Sequence, residues 1–202
     1  MSDQTIASAQ DRRGQGGVSL FLRRWLANPL QMGSVVPSSR ALGRHVARLV
    51  ERRDDEVVVE IGAGTGAISR ALLAAGVPVD RLVLVEIVPE MAEHLAASLP
   101  GVHVVTGDAF DLVASLPRRM HGRIGTAICG IPLVLLPLER QRRFVDQVEA
   151  VAPGRGFLLY TYCITSPLPW DALGLSARRQ AWTPMNFPPA SVWRYRPQPS
   201  QP

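Results

Sequence analysis

The chain has 202 residues, enough for one domain with a substantial core, and an apolar fraction ordinary for a globular protein. Its net charge is +5 and every one of its 22 basic side chains is arginine, which excludes chemistry that needs a lysine base, a Schiff base or a phosphate-gripping lysine. Two cysteines, Cys129 and Cys163, lack metal-ligand spacing and read as buried thiols in a reducing compartment, so no metal is expected.

Residues 1–17 are polar and Gly-rich, a flexible N-terminus without the apolar core of a secretory signal. Between Arg12 and Arg53 stand nine arginines and one acid, Glu51, which points to a polyanionic partner, nucleic acid or an anionic membrane surface. Residues 18–53 read as N-terminal helices. Val18, Phe21, Leu22, Trp25 and Leu26 recur on one helical face with Arg23 and Arg24 opposite, until Asn28-Pro29 ends the run. A second helix starts after Pro37, capped by Ser38 or Ser39, with Leu42, Val46, Leu49 and Val50 inward.

Residues 54–196 then alternate strand and helix. Strands are predicted over Glu56–Ile61, Arg81–Ile87, Val102–Thr106, Ile124–Gly130 and Gly156–Tyr162. Helices are predicted over Ala67–Ala75, Pro89–Leu99 and Glu139–Val151, with Gly76 ending the first. Repeated β-α-β units imply a parallel sheet covered on both faces. Ser176–Trp182 and Ser191–Arg196 read as an antiparallel pair that closes the sheet, and residues 197–202 as a frayed tail. The longest nearly apolar run, Ala127–Leu138, is too short to span a bilayer and contains prolines. The expectation is one α/β domain of Rossmann-like type with a mostly parallel seven-stranded sheet, in a soluble or peripheral, cytoplasmic protein.

The strongest motif is Glu60-Ile-Gly-Ala-Gly-Thr-Gly66, where a buried strand hands over to a helix. Glycines there let the backbone turn and approach a ligand, and in open α/β sheets the ligand lies at the carboxyl ends of the strands. Gly62, Gly64 and Ala67 also satisfy a dinucleotide fingerprint. Three acids separate the two readings. Glu60 stands two residues before Gly62, where a carboxylate suits a cationic methionine moiety and repels a pyrophosphate. Glu86 ends the second strand, where an acid grips ribose hydroxyls, and Asp108 follows the third, placed for an adenine amino group. Together they predict S-adenosylmethionine as cofactor and a class I methyltransferase, with Thr65, Ile87 and Ala109 beside it. Gly130-Ile-Pro132 ends the fourth strand, where a backbone carbonyl can accept from an acceptor amine. Gly130 is thus assigned to both the cofactor and the reacting centre, and Ile131 and Pro132 to the substrate. The tail adds the aromatics Tyr160, Tyr162, Trp170, Trp182, Trp193 and Tyr195, half of them expected in the core and those near strand ends able to face an ammonium through their rings; Tyr160, Tyr162 and Tyr195 are the further substrate candidates. Tyr162 joins Gly130 in orienting the amine.

On these residues the sequence resembles the soluble bacterial phospholipid N-methyltransferases, which are related to ribosomal RNA adenine dimethylases. The resemblance runs from about Phe21 to Arg196. It rests on Trp25-Leu-Ala-Asn-Pro29, Met32-Gly-Ser-Val-Val-Pro-Ser-Ser-Arg40, Glu60–Gly66, Gly107-Asp-Ala109, Gly130-Ile-Pro-Leu133, Thr161-Tyr162 and Asn186-Phe-Pro-Pro-Ala-Ser-Val-Trp-Arg-Tyr195. It implies stepwise methylation of phosphatidylethanolamine towards phosphatidylcholine. It also implies a cofactor cap at Met32 and Gly33, a substrate contact at Asn186, and an interfacial helix in which Phe21, Leu22, Trp25 and Leu26 enter lipid while Arg23 and Arg24 meet headgroups. The expected partner is an anionic phospholipid membrane and the expected state a monomer. The sequence departs from the family at Thr161-Tyr-Cys-Ile164, where Thr-Tyr-Gly-Pro is common. Two other readings are an RNA adenine methyltransferase, which ordinarily has Asn or Asp before the Pro motif and an aromatic after it, and a non-catalytic membrane-binding protein.

Overall fold

Four short segments, VVVEI, LVLVE, IGTAIC and FLLYT, build the centre of the protein and are buried almost throughout, because a strand covered on both faces has no polar side to present. In a computed structural model, residues 40–162, 166–185 and 189–198 are described, all within one compact unit, Pro37–Pro202. The strands are β1 (Val57–Ile61), β2 (Leu82–Glu86), β3 (His103–Thr106), β4 (Ile124–Cys129), β5 (Phe157–Thr161), β6 (Leu175–Thr183) and β7 (Ala190–Pro197). They form a seven-stranded sheet in the order β3-β2-β1-β4-β5-β7-β6. The first five run parallel, and β7 inserts antiparallel between β5 and β6. The strand order reverses between β1 and β4, which opens a crevice at the carboxyl ends of both.

The helices are α1 (Arg40–Arg48), α2 (Ala67–Ala74), α3 (Pro89–Ser98), α4 (Leu112–Ser115) and α5 (Leu138–Val151). One face of the sheet presents Val58, Leu82, Leu84, Ile128, Leu158 and Val192 to Leu42 and Val46 of α1, Ile68 and Leu72 of α2, and Leu95 of α3. On the other face Phe144 of α5 meets Phe157 edge-on at 5.2 Å between ring centroids. Within the described residues the expected strands and helices are present with ends shifted by one or two residues, and the helix expected over Val18–Leu26 lies outside them. Leu49 and Val50 pack against the core as expected but follow the end of α1. The sequence reading missed α4, a single turn. No helix among the described residues is long and apolar enough to cross a membrane.

Candidate active site

Period-two alternation puts every second residue of a strand on one face. The register pairs Glu60 with Leu84 of β2 and Ile128 of β4, and Ile128 with Leu158 of β5. Two residues further along, Glu86, Gly130 and Tyr160 follow on the face shared with Glu60. The fold thus brings Glu60, Glu86, Gly130 and Tyr160 together at the carboxyl edge.

Glu60 is fully buried. Its Oε2 accepts a hydrogen bond from Ser69 Oγ at 2.6 Å, and its Oε1 has no partner. Burial, together with the Glu86 charge, pushes its carboxyl up to about 8, the Ser69 bond opposing. Glu86 accepts from the Gly64 amide at 3.0 Å and from the Val88 amide at 3.1 Å, so one carboxylate ties the glycine loop to the turn after β2. An ionised carboxylate has about four lone-pair positions, so two remain for hydroxyl donors. Asp108 Oδ1 accepts from the Phe110 amide at 2.9 Å, and its own amide donates to Ser115 Oγ at 3.1 Å. Among the described residues no arginine or histidine pairs with any of these three acids.

The loop geometry is set by contact. Gly62 has φ +77°, and a Cβ there would lie 2.5 Å from Ile131 Cγ2. A Cβ on Gly130 would lie 2.4 Å from the Gly62 carbonyl oxygen and 2.6 Å from the Tyr160 hydroxyl. The ends of β1, β4 and β5 can meet this closely only because both positions lack a side chain. Burial, with Glu60 and Tyr162 adding, raises the Tyr160 phenol well above its ordinary value, so it stays protonated at neutral pH. Burial likewise pushes the Cys129 thiol up to about 12, consistent with an inert buried cysteine.

The remaining candidates sort by position. Gly64 and Ala109 are buried in the two loops, Thr65 is exposed, and Ile87 and Pro132 are half-buried at their strand ends. Ile131 is buried against Gly62. Tyr162 is half-buried on the same face as Tyr160, one strand step beyond it. Tyr195 is a correction. It is fully buried, pairs with Phe157 at the start of β5, stacks on that ring at 5.2 Å and shares a 2.9 Å hydrogen bond with Ser166. It stands at the amino end of the sheet, on the face opposite Tyr160, and serves the core. Met32, Gly33, Asn186, Cys163 and the stretch Phe21–Leu26 lie outside the described residues.

Sequence reasoning missed Ser69, the one donor to Glu60; its place on the buried stripe with Ile68 and Leu72 is the signal that was there to read. Of an apolar rim it singled out only Trp182. β6 runs parallel to β5, and Trp182 pairs with Ser191, which pairs with Thr161 at the end of β5. Trp182, Met185 just beyond it and Leu135 in the turn after β4 are 49%, 75% and 55% exposed. Apolar side chains therefore stand in solvent around the carboxyl edge.

No family model matches the chain. It is similar to an ornithine lipid N-methyltransferase of Singulisphaera acidiphila, 29% identical over 86% of this chain and 93% of that protein. It is also similar to the ribosomal RNA small subunit methyltransferase A of Streptomyces griseus, 36% identical over 48% of this chain but only 36% of that protein. Among solved structures, the 1,6-didemethyltoxoflavin-N1-methyltransferase of Burkholderia thailandensis, with bound S-adenosylhomocysteine, superposes with a TM-score of 0.62 at 15% identity, covering 92% of this chain and 90% of that one. The orphaned buried Glu60 Oε1, the free acceptor capacity of Glu86 and the absence of paired cations fit a ligand with a cationic end and a ribose. The chain is built on the fold of the class I S-adenosylmethionine-dependent methyltransferases.

Proposed function

We propose that the protein transfers a methyl group from S-adenosylmethionine to the primary amine of a membrane lipid. The resemblance of its motifs implies phosphatidylethanolamine as acceptor, and the name of the Singulisphaera relative carries an ornithine lipid; the shared chemistry is an amine on a lipid headgroup. The observation that supports this most is the set of three acids, Glu60, Glu86 and Asp108, that have no cationic partner among the described residues and stand at the ends of three adjacent strands. The exposed Leu135, Trp182 and Met185 on the same edge suit an apolar substrate.

When bound, the cofactor supplies an electrophilic methyl group. Glu60 would face its cationic methionine end, Glu86 its ribose hydroxyls, and Asp108 its adenine amino group. A lipid ammonium has a pKa near ~10 and must lose a proton before it attacks. Neither histidine nor lysine occurs within residues 128–136 or 159–166 at the ends of β4 and β5. Catalysis then rests on positioning: the Gly130 carbonyl accepts from the amine, the protonated Tyr160 hydroxyl and Tyr162 orient it, and the buried surroundings favour its neutral form. The amphipathic run Val18–Leu26, with Arg23 and Arg24, is proposed as the segment that docks on anionic lipid on the inner face of the cytoplasmic membrane.

A second reading, methylation of an RNA adenine, is favoured by the Streptomyces match. It is opposed by Gly130-Ile-Pro-Leu133, which has neither the Asn or Asp nor the stacking aromatic such enzymes ordinarily carry. One experiment separates them. The protein is incubated with methyl-labelled cofactor and, in parallel, vesicles containing phosphatidylethanolamine, vesicles containing an ornithine lipid, and ribosomal RNA. Label in a lipid fraction supports the reading and names the acceptor, and label in RNA alone overturns it.

A further inference from the structure

The Glu60 carboxyl differs from every other acid described in this protein. Glu86 is also buried, but two backbone amides donate to it. Glu56 is buried with Arg155 against it. Glu60 has one neutral donor, Ser69 Oγ, and an Oε1 sealed from solvent without any partner. A buried carboxylate with an unsatisfied oxygen and no cation costs several kcal/mol, and the usual escape is to keep a proton. We propose that Glu60 holds a proton in the ligand-free protein and releases it to solvent when the cationic methionine end of S-adenosylmethionine arrives, so that cofactor binding and proton release are one coupled event. This rests on the cofactor assignment above and deepens it.

The surroundings of Glu60 hold the proton in place. From α2 come Ser69, a neutral hydroxyl, and Arg70, which is exposed and spends its guanidinium on the Thr65 carbonyl at 2.6 Å. From β2 comes Glu86, whose like charge disfavours ionisation of Glu60. From β5 come the Tyr160 and Tyr162 phenols, and β4 brings only the protonated Cys129 thiol. α1, packed on α2, carries Arg40, Arg44 and Arg48 exposed and His45 half-buried, and none reaches the Glu60 oxygens. A carboxyl raised to about 8 is protonated at neutral pH. An ammonium placed against Oε1 reverses the balance, because an opposite charge within about 4–6 Å favours the ionised form.

The consequence is a linkage with a definite sign. Below the raised value the cofactor must displace a proton, so its affinity rises with pH by up to about tenfold per unit between pH 6 and 7.5, then levels off near pH 8. The test is calorimetric titration of the full chain with S-adenosylmethionine at pH 6.5, in buffers of different ionisation enthalpy. The slope of observed heat against buffer enthalpy counts the protons released. The expected slope is close to one proton for the wild type and near zero for Glu60→Gln. Binding with no proton release in the wild type overturns the proposal while the cofactor assignment stands. Absence of any binding overturns the assignment and the proposal with it. A slope in Glu60→Gln equal to the wild type's moves the proton to another group and also overturns the proposal. Should Glu60→Gln not fold, infrared difference spectra of the wild type decide the matter: loss of a protonated-carboxyl band on binding is expected, and no change in that band contradicts the proposal.

Discussion

The two edges of the sheet treat their acids in opposite ways. At the amino edge three acids meet arginines. Asp55 pairs with Arg123 at 3.1 Å, Glu56 with Arg155, and Glu51 with both Arg194 at 3.1 Å and Arg196 at 2.8 Å. Glu51 also ties its backbone to Thr126 of β4, its amide donating to Oγ1 at 2.9 Å and its carbonyl accepting from it at 2.7 Å. At the carboxyl edge Glu60, Glu86 and Asp108 find only hydroxyl and amide donors among the described residues. A protein with 22 arginines has cations to spare, so the difference is one of placement. Acids neutralised within the fold serve stability. Acids left without a cation cost stability, and such groups gather where a ligand supplies what the fold withholds.

The comparison can be broken most severely where backbone contact, not charge, shapes the carboxyl edge. Gly130→Ala places a methyl against the Gly62 carbonyl and the Tyr160 hydroxyl. Overpacking of this kind costs about 1–3 kcal/mol, and here it falls on the site itself. Loss of most cofactor affinity and of methyl transfer is expected, with the fold retained by circular dichroism. A folded variant with wild-type binding would separate the glycine contact from the site.

Next in size is Glu86→Ala. It removes a carboxylate that holds the Gly64 and Val88 amides and, in this account, the ribose. Charge-assisted hydrogen bonds are worth about 1.5–3 kcal/mol, so affinity for S-adenosylhomocysteine should fall roughly 10- to 150-fold in calorimetry.

Glu60→Gln sharpens the contrast through stability. A carboxyl whose folded value, about 8, lies above its ordinary 4.5 favours the fold in its protonated form. Its contribution is complete below the ordinary value and is lost as pH rises towards 8. Without ligand, the variant should therefore gain on the wild type as pH rises from 5 to 8, by up to about 1.4 kcal/mol per unit. Thermal melts across that range check it, and parallel pH profiles for both chains would contradict it. The smallest effect belongs to the amino edge. Arg196→Ala removes a half-exposed pair with Glu51 and should cost about 0–1 kcal/mol in thermal stability, with cofactor affinity unchanged.

What could be read from sequence follows the same division. The strands and the three acids were legible because buried strands write continuous apolar runs, and because a topological rule places function at strand ends. Tyr195 was misassigned because alternation along β7 gives no sign of which face or end a tyrosine occupies; the register with Phe157 decides it. Tyr160 was legible as a substrate candidate, but its contact with Gly130 was not, since that contact joins residues thirty positions apart through the pairing of β4 with β5. The Glu60 proton was invisible for a similar reason: a sequence shows the acid, and only packing shows that α2 offers it one hydroxyl and nothing charged.

The central claim, that the cation-free acids of the carboxyl edge seat S-adenosylmethionine, is tested most directly by titrating the wild type and Glu86→Gln with S-adenosylhomocysteine in a calorimeter. The account predicts one site per chain in the wild type and at least tenfold weaker binding in the variant, with the melting temperature of the variant near that of the parent. Equal affinity of the two chains, or no heat of binding in the wild type, would contradict it.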